Sequence, residues 1–342
     1  MDSEKSNPRV TVVIPVFNQN AGFLRRCIDS VLTQDYPNLE IIVSDNRSDN
    51  GCGEIIDSYA DPRLKVIRPA VHLPMVQHWA FATFHATGDY LSMMGSDDWA
   101  EPHWLSTMMP EIVSHPTASF AFSNLNLRHI KNGDAEPARD LDIPNQLIPS
   151  VQAARQVIEW TSHMFSWWVV GAIIRTKDYF AVSGIARYAT VHNGDYPLSL
   201  GLLTRGDALY INERLANYQI WGAEDGKSDG RRQAIILEDM IRILACIESD
   251  LHVRTLCIES GWSIRRIKRR FIKLALLWIN VLPTQCGHSA EEQKRITDGL
   301  TKLLSMRIAL GIFMVPVFLI LKVFARLSHT SWKRIAEKLL RT

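Results

Sequence analysis

The chain of 342 residues is 46% hydrophobic and 22% charged, the balance of a packed globular protein of roughly two domains. Its five cysteines (Cys27, Cys52, Cys246, Cys257 and Cys286) are scattered without a CxxC pair, so neither a zinc site nor a disulfide framework is suggested. The net charge of +2 hides a division: residues 1–230 hold 18 Lys+Arg against 27 Asp+Glu, a balance of −9, whereas residues 231–342 hold 20 against 9, a balance of +11.

Val10 to Phe17 (VTVVIPVF) is a near-continuous β-branched run, which predicts a strand buried on both faces. Phe23, Leu24, Cys27, Ile28, Val31 and Leu32 recur at helical spacing and predict a helix over Ala21 to Thr33. A second strand, Leu39 to Val43, runs into Ser44 to Gly51, a loop dense in turn formers. A short helix through Ile55, Ile56 and Tyr59, a strand at Leu64 to Ile67, a helix over Met75 to Ala86 and a strand opening at Gly88 follow. Strands alternating with helices at this spacing imply βαβ units and an open, mostly parallel α/β sheet with helices on both faces. Ligands of such sheets sit beyond the C-terminal strand ends. Asn18, the loop Asp45 to Asn50, and Ser96 to Asp98 all follow strands and are expected on one edge.

Farther on, a helix near Trp104 to Ser114 precedes a strand at Ala118 to Leu127. Gly133, Pro137, Pro144 and Pro149 predict a loop over 131–150. A helix at Gln152 to Trp160, a strand-like run at Trp167 to Arg175, a helix from Asp195 through Leu203, and strands at Leu209 to Asn212 and Leu215 to Gln219 complete this part. The expected organisation is 9–115 and 116–230 as two halves of one globular region, then 231–342 as a basic helical region.

Asp97 and Asp98 are adjacent acids at a strand end, and they repel unless positive charge lies beside them. A divalent cation carrying phosphates would supply that charge; the plain alternative is a cap on the helix that follows. Asp45 has a similar alternative as an Asx turn, and Asp195, before Tyr196 and Pro197, as a helix N-cap. Trp79 and Trp104 read as core. For Trp167, Trp168 and Trp221, stacking on a sugar and packing in the core are equally open. His78 and His85 share a helix without a third metal ligand and read as packing positions.

The stretches VTVVIPVFNQ, IDSVLTQDYPNLEIIVSDNRSDN and ATGDYLSMMGSDDW, in this order, resemble a family 2 glycosyltransferase of the GT-A fold over about residues 9–225. The resemblance implies an inverting sugar transfer from a nucleotide-sugar donor to a saccharide or lipid-linked acceptor, with Mg²⁺ or Mn²⁺. It further implies Pro15 and Asn18 beside the nucleotide, Asp45 on the base, Asp97 near the ribose, Asp98 on the metal and Asp195 as catalytic base. Asn46 stands where many members carry a second acid, Ser96 where an aspartate is frequent, and Trp221 where a histidine is common. A nucleotidyltransferase on a similar sheet and a non-catalytic membrane-bound nucleotide-binding protein are the alternatives. A dehydrogenase is disfavoured because Pro15-Val16-Phe17-Asn18 lacks the glycine turn that pyrophosphate requires.

In the basic region, Trp262, Ile264, Ile267, Phe271, Leu274 and Trp278 mark an apolar face opposite Arg265, Arg266, Lys268, Arg269, Arg270 and Lys273. Ile308 to Leu321 is an uncharged run of fourteen residues, short of the roughly 20 that span a bilayer. An anionic membrane surface, met through 262–282 and 308–327, is the expected partner, and nucleic acid is not expected. The polar N-terminus lacks the apolar core of a signal peptide. The expected location is therefore the cytoplasm, at the inner face of the cell membrane.

Overall fold

A computed structural model of the chain describes residues 7–129, 135–138, 143–159, 165, 168–187, 190, 194–220 and 230–271. Two compact units result, Met1–Gly222 and Ala223–Thr342.

The first unit is built on one mixed sheet. Its N-terminal frame comprises β1 (Val10–Val16), α1 (Ala21–Leu32), β2 (Leu39–Asp45), α2 (Cys52–Asp57), β3 (Leu64–Ile67), α3 (Met75–Phe84) and β4 (Tyr90–Met93). Every residue of β1 and β2 is buried, as predicted for strands covered on both faces. The pairings β1 with β2, β2 with β3 and β1 with β4 are parallel. The chain steps outward from β1 to β3 and then returns to the other side of β1 as β4. That reversal is the switch point at which an open parallel sheet leaves a crevice.

Beyond β4 come β5 (Trp99–Ala100), α4 (Trp104–Ser114), β6 (Ala118–His129), β7 (Ala135–Pro137), β8 (Gln146–Ile148) and α5 (Ser150–Glu159). The unit closes with β9 (Ile173–Arg175), α6 (Thr176–Ala181), a 3-10 turn at Gly184–Ala186, α7 (Asp195–Leu203) and β10 (Asp207–Ile220). The strand order is β3-β2-β1-β4-β9-β6-β10-β5. Here β6 and β10 run parallel, and the short strands β5, β7, β8 and β9 add the antiparallel pairs.

Three expectations change. The predicted loop over 131–150 contains β7 and β8, which form because the long strands β6 and β10 offer them partners. The run at Trp167 to Arg175 is a strand only at Ile173–Arg175. Gly171 before it has φ +69°, and a Cβ there would lie 2.8 Å from Ala216 Cβ, so only glycine turns the chain this close to β10. The two strands expected at 209–219 are one, β10, with register shifts against β6 between Ile211 and Ala216.

One buried acid clamps the start of the frame. Glu40 on β2 has a fully buried side chain that accepts from Thr11 Oγ1 at 2.6 Å, Lys65 Nζ at 2.6 Å and Thr87 Oγ1 at 2.8 Å. Burial works to raise its pKa, but the Lys65 ammonium and the Thr11 and Thr87 donors prevail and hold it down at about 2. The carboxylate therefore stabilises the fold above the ordinary carboxylate range, and that contribution disappears as pH falls toward 2. Glu40→Gln is expected to cost about 2–3 kcal/mol at pH 7 and far less at pH 3, as measured by urea unfolding at both values.

The second unit contains α8 (Gly230–Ser249) and α9 (Leu251–Glu259), the latter capped by Asp250 Oδ1, which accepts from Val253 N–H at 3.1 Å. No helix among the described residues is long and apolar enough to cross a membrane. Residues 272–342, with the run at 308–321, lie outside the described residues.

Candidate active site

The three polar loops meet at the β1/β4 switch point and are tied by direct hydrogen bonds. Asn18, in the left-handed region at φ 47°, donates its backbone N–H to Ser48 Oγ at 3.0 Å, and its Oδ1 accepts from Asp49 N–H at 2.9 Å. Gln19 Nε2 donates to Ser96 Oγ at 3.1 Å, and the Gln19 carbonyl accepts from Asn50 Nδ2 at 3.0 Å. One dipeptide, Asn18-Gln19, thus couples the loop after β2 to the loop after β4. Pro15 is a buried residue of β1 opposite Ser44, a framework position beneath these loops.

Asp45 ends β2 and is buried. Its Oδ1 accepts from Ser48 N–H at 3.0 Å, and its Oδ2 takes Arg68 Nε at 3.2 Å. The turn contact is therefore real, and a salt bridge accompanies it; a carboxylate keeps further lone pairs beyond these two bonds. Asn46 fixes the neighbouring segment, with Nδ2 donating to Leu73 O at 2.8 Å and Oδ1 accepting from Leu73 N–H at 2.9 Å. His78 lies behind, its Nε2 sharing a proton with Ser44 Oγ at 2.8 Å, and burial lowers its pKa to about 4. It is a neutral packing residue, as expected.

The aspartate pair is not a helix cap. Helix α4 begins only at Trp104, with His103 in the cap position, and β5 intervenes. Asp98 is only 4% exposed, and its Oδ1 accepts from the backbone N–H of Gln219 on β10 at 3.0 Å. Asp97 is half-buried. Burial pushes the Asp98 pKa well up and the Asp97 charge adds to this; the Gln219 amide and Arg26 oppose it. Gly95 makes the arrangement possible, because a Cβ there would stand 2.6 Å from Asp98 Oδ2 and 3.2 Å from Asp97 Oδ1.

Several partners of the pair escaped the sequence reading. Gln219 also donates from Nε2 to Arg128 O at 2.7 Å and accepts from Arg26 Nη2 at 3.1 Å. Asn217 Nδ2 donates to Glu101 Oε1 at 2.9 Å, and its Oδ1 accepts from Arg128 Nε at 2.8 Å. The only local signal was the position of Trp99, directly after the acids.

Asp195 comes from another part of the chain. It is the first residue of α7, with Gly194 in the cap position, so it is not the N-cap, and it is half-buried at the positive end of the helix. A Cβ on Gly194 would meet Ile185 Cγ1 at 2.7 Å, which fixes glycine where the 3-10 turn packs against the start of α7. Trp168 resolves as core, 2% exposed with its ring centroid 4.7 Å from that of Phe120. Trp104 is likewise buried, its Nε1 donating to Gly171 O at 2.8 Å. Trp167 and Trp221 lie outside the described residues.

Residues 11–152 match the model of the family described as glycosyl transferase family 2. That match shows what this segment is similar to. Glycosyltransferase GlyA of Streptococcus pneumoniae is 29% identical over 31% of this chain and 15% of its own length. A hyaluronan synthase of Streptococcus pyogenes is 31% identical over 36% of this chain and 32% of its own length. The chain thus spans a third or less of these two relatives. Among solved structures, S. aureus TarS 1-349 in complex with UDP-GlcNAc aligns with TM-score 0.62 at 15% identity, covering 86% of this chain and 80% of that one. Mannosyltransferase PcManGT from Pyrobaculum calidifontis, in complex with GDP-Man and Mn2+, aligns with TM-score 0.55 at 14% identity over 88% and 82%. The matched segment carries all three switch-point loops, and the structural likeness extends the shared GT-A fold beyond it.

Gly95→Ala is expected to push the Asp98 carboxylate off the Gln219 amide. The measurable outcome is faster hydrogen exchange at that amide and a stability loss of roughly 1–3 kcal/mol, with unchanged far-UV circular dichroism.

Proposed function

We propose that this chain is an inverting glycosyltransferase, taking a sugar from a nucleoside diphosphate donor to a saccharide or lipid-linked acceptor hydroxyl. The observation that carries this is the coupling of Asn18, the Asp45–Asn50 loop and the Asp97/Asp98 pair at one switch point of a family 2 segment. The bound UDP-GlcNAc and GDP-Man of the two structural neighbours support a donor of this class.

The donor set suits a hard divalent cation. Asp98 Oδ2 makes no hydrogen bond among the described residues, and Asp97 stands beside it. No cluster of three or more His, Cys, Asp or Glu exists among the described residues, so diphosphate and water would complete the shell. Mg²⁺ or Mn²⁺ bound there supplies charge neutralisation to the departing diphosphate. Asp98 would hold the ion through Oδ2, with Asp97 toward the ribose, and the lone pairs of Asp45 would meet the base. Asn18 would fix the loop beside the nucleotide, with Pro15 beneath it. Asp195 takes the acceptor proton as the hydroxyl oxygen bonds to the anomeric carbon and the bond from that carbon to the diphosphate breaks. One displacement from the opposite face inverts the configuration.

A screen of UDP- and GDP-sugars with saccharide acceptors, with and without Mn²⁺, should show metal-dependent release of nucleoside diphosphate. Asp97→Asn, Asp98→Asn and Asp195→Asn are each expected to lower it by at least about a hundredfold. Near-wild-type release by Asp98→Asn or Asp195→Asn would refute the mechanism.

The apolar face expected to meet a membrane from Trp262 onward is instead packed inside the protein, with Trp262, Ile267 and Phe271 buried; we propose that α9 offers the face that meets an anionic membrane surface, at the cytoplasmic leaflet. On α9, Leu251 (70% exposed) and Ile258 (54%) lie seven residues apart on one face, with exposed Arg254 between them and Arg265, Arg266 and Arg269 exposed farther on. Apolar side chains amid exposed cations fit an interfacial surface. The full chain should co-sediment with vesicles containing phosphatidylserine and not with neutral ones. Changing Arg265, Arg266 and Arg269 to Gln should weaken this by about 1 kcal/mol per charge.

A further inference from the structure

The candidate site has a cationic side that the roles above leave unused. Trp99, directly after the aspartate pair, is flanked by two guanidiniums: Arg26 Cζ is 3.4 Å from a ring centroid of Trp99 and Arg128 Cζ is 5.7 Å from it. Arg26 comes from the second turn of α1 and Arg128 from the end of β6, and both are half-buried. Neither forms a salt bridge among the described residues. Their hydrogen bonds go to neutral amide oxygens, Gln219 Oε1 and Asn217 Oδ1. Arg26 Nε is buried and has no hydrogen-bond acceptor among the described residues.

Such a pair is costly when empty. Burial lowers the Arg26 pKa and the neighbouring Arg128 charge adds to this, while Asp98 and Asp97 act the other way. Two cations partly withdrawn from water, close enough to repel, stabilise a fold poorly unless an anion joins them. Guanidiniums stacked on an aromatic face keep their in-plane N–H edges for bidentate acceptors, and phosphate oxygens match that fork. A metal-bearing diphosphate brings both signs of charge, and this corner of the fold offers both.

We propose that Arg26 and Arg128, braced on Trp99, form an anion clamp for the diphosphate of a nucleoside diphosphate or its sugar. This rests on the glycosyltransferase reading and adds residues from α1 and β6 to the donor site. It also explains why Gln219 is held from three sides: the side chain that ties down Arg26 belongs to the residue whose amide holds Asp98.

The test is calorimetric titration of the full chain with UDP and with GDP, each in MnCl2, at two salt concentrations, with uridine and guanosine as phosphate-free controls. Arg26→Met, Arg26→Lys and Arg128→Gln are the variants. The wild type should bind at least one diphosphate. Arg26→Met and Arg128→Gln should each weaken it roughly tenfold and flatten its salt dependence, leaving nucleoside binding unchanged. Arg26→Lys should fall between, keeping the charge without the planar fork. Arg26→Met also removes a brace of Gln219, whose amide holds Asp98, whereas Arg128→Gln removes only a bond to Asn217, so Arg128→Gln is the deciding variant. Diphosphate affinity within about twofold of wild type in Arg128→Gln, or an equal loss of nucleoside affinity, would overturn the clamp. If the wild type binds neither UDP nor GDP, the glycosyltransferase reading itself fails and the clamp falls with it.

Discussion

The hydrogen bond from the Gln219 amide to the Asp98 carboxylate joins the last strand of the first unit to the loop after β4. A buried carboxylate beside a second acid is an expensive arrangement, and the chain answers it with donors drawn from far away in sequence. Gln219 must arrive on β10, β10 must lie beside β6, and β5 must pair with β10 so that Trp99 and Glu101 meet Asn217. The architecture past residue 100 can be read as a device for bringing one amide to one carboxylate.

The parallel frame before that point has a different logic. Its strands need only be buried on both faces, and a nearly unbroken run of Val and Ile secures that without reference to the rest of the chain. The specific contacts gather where the frame stops, in Asn18, Gln19 and the Asp45–Asn50 loop. The groups there bond to one another and to residues 68–73 after β3, so one loop holds the next.

This division explains what the sequence could and could not disclose. Strands β1 to β4, helices α1 to α4 and the common edge of the three loops follow from local periodicity and from the rule that sheet ligands lie beyond strand ends. The roles of Asp97 and Asp98 were open, because a cap and a charged site look alike in a pair of acids; the start of α4 at Trp104 removes the cap. The clamp residues were illegible. Arg26 lies on a helix flank where a cation is unremarkable, Arg128 ends a strand, and Trp99 takes part in a two-residue strand whose partner comes more than a hundred residues later. Strands β7 and β8 were missed for the same reason: each is too short to show a pattern and exists through its neighbour.

The irregular stretch of β10 has a wider consequence. From Ile211 to Ala216 the strand takes five steps while β6 takes two, from Ser123 to Leu125, so three residues are surplus. Strand side chains alternate between faces, and an odd surplus exchanges the faces of everything downstream. Asn217 and Gln219 therefore owe their orientation to the parity of a bulge, not to their own chemistry. A relative or chimaera that lost a single residue between 211 and 216 while keeping the same surplus against β6 would retain Asn217 and Gln219 in its sequence and present them to the opposite side of the sheet.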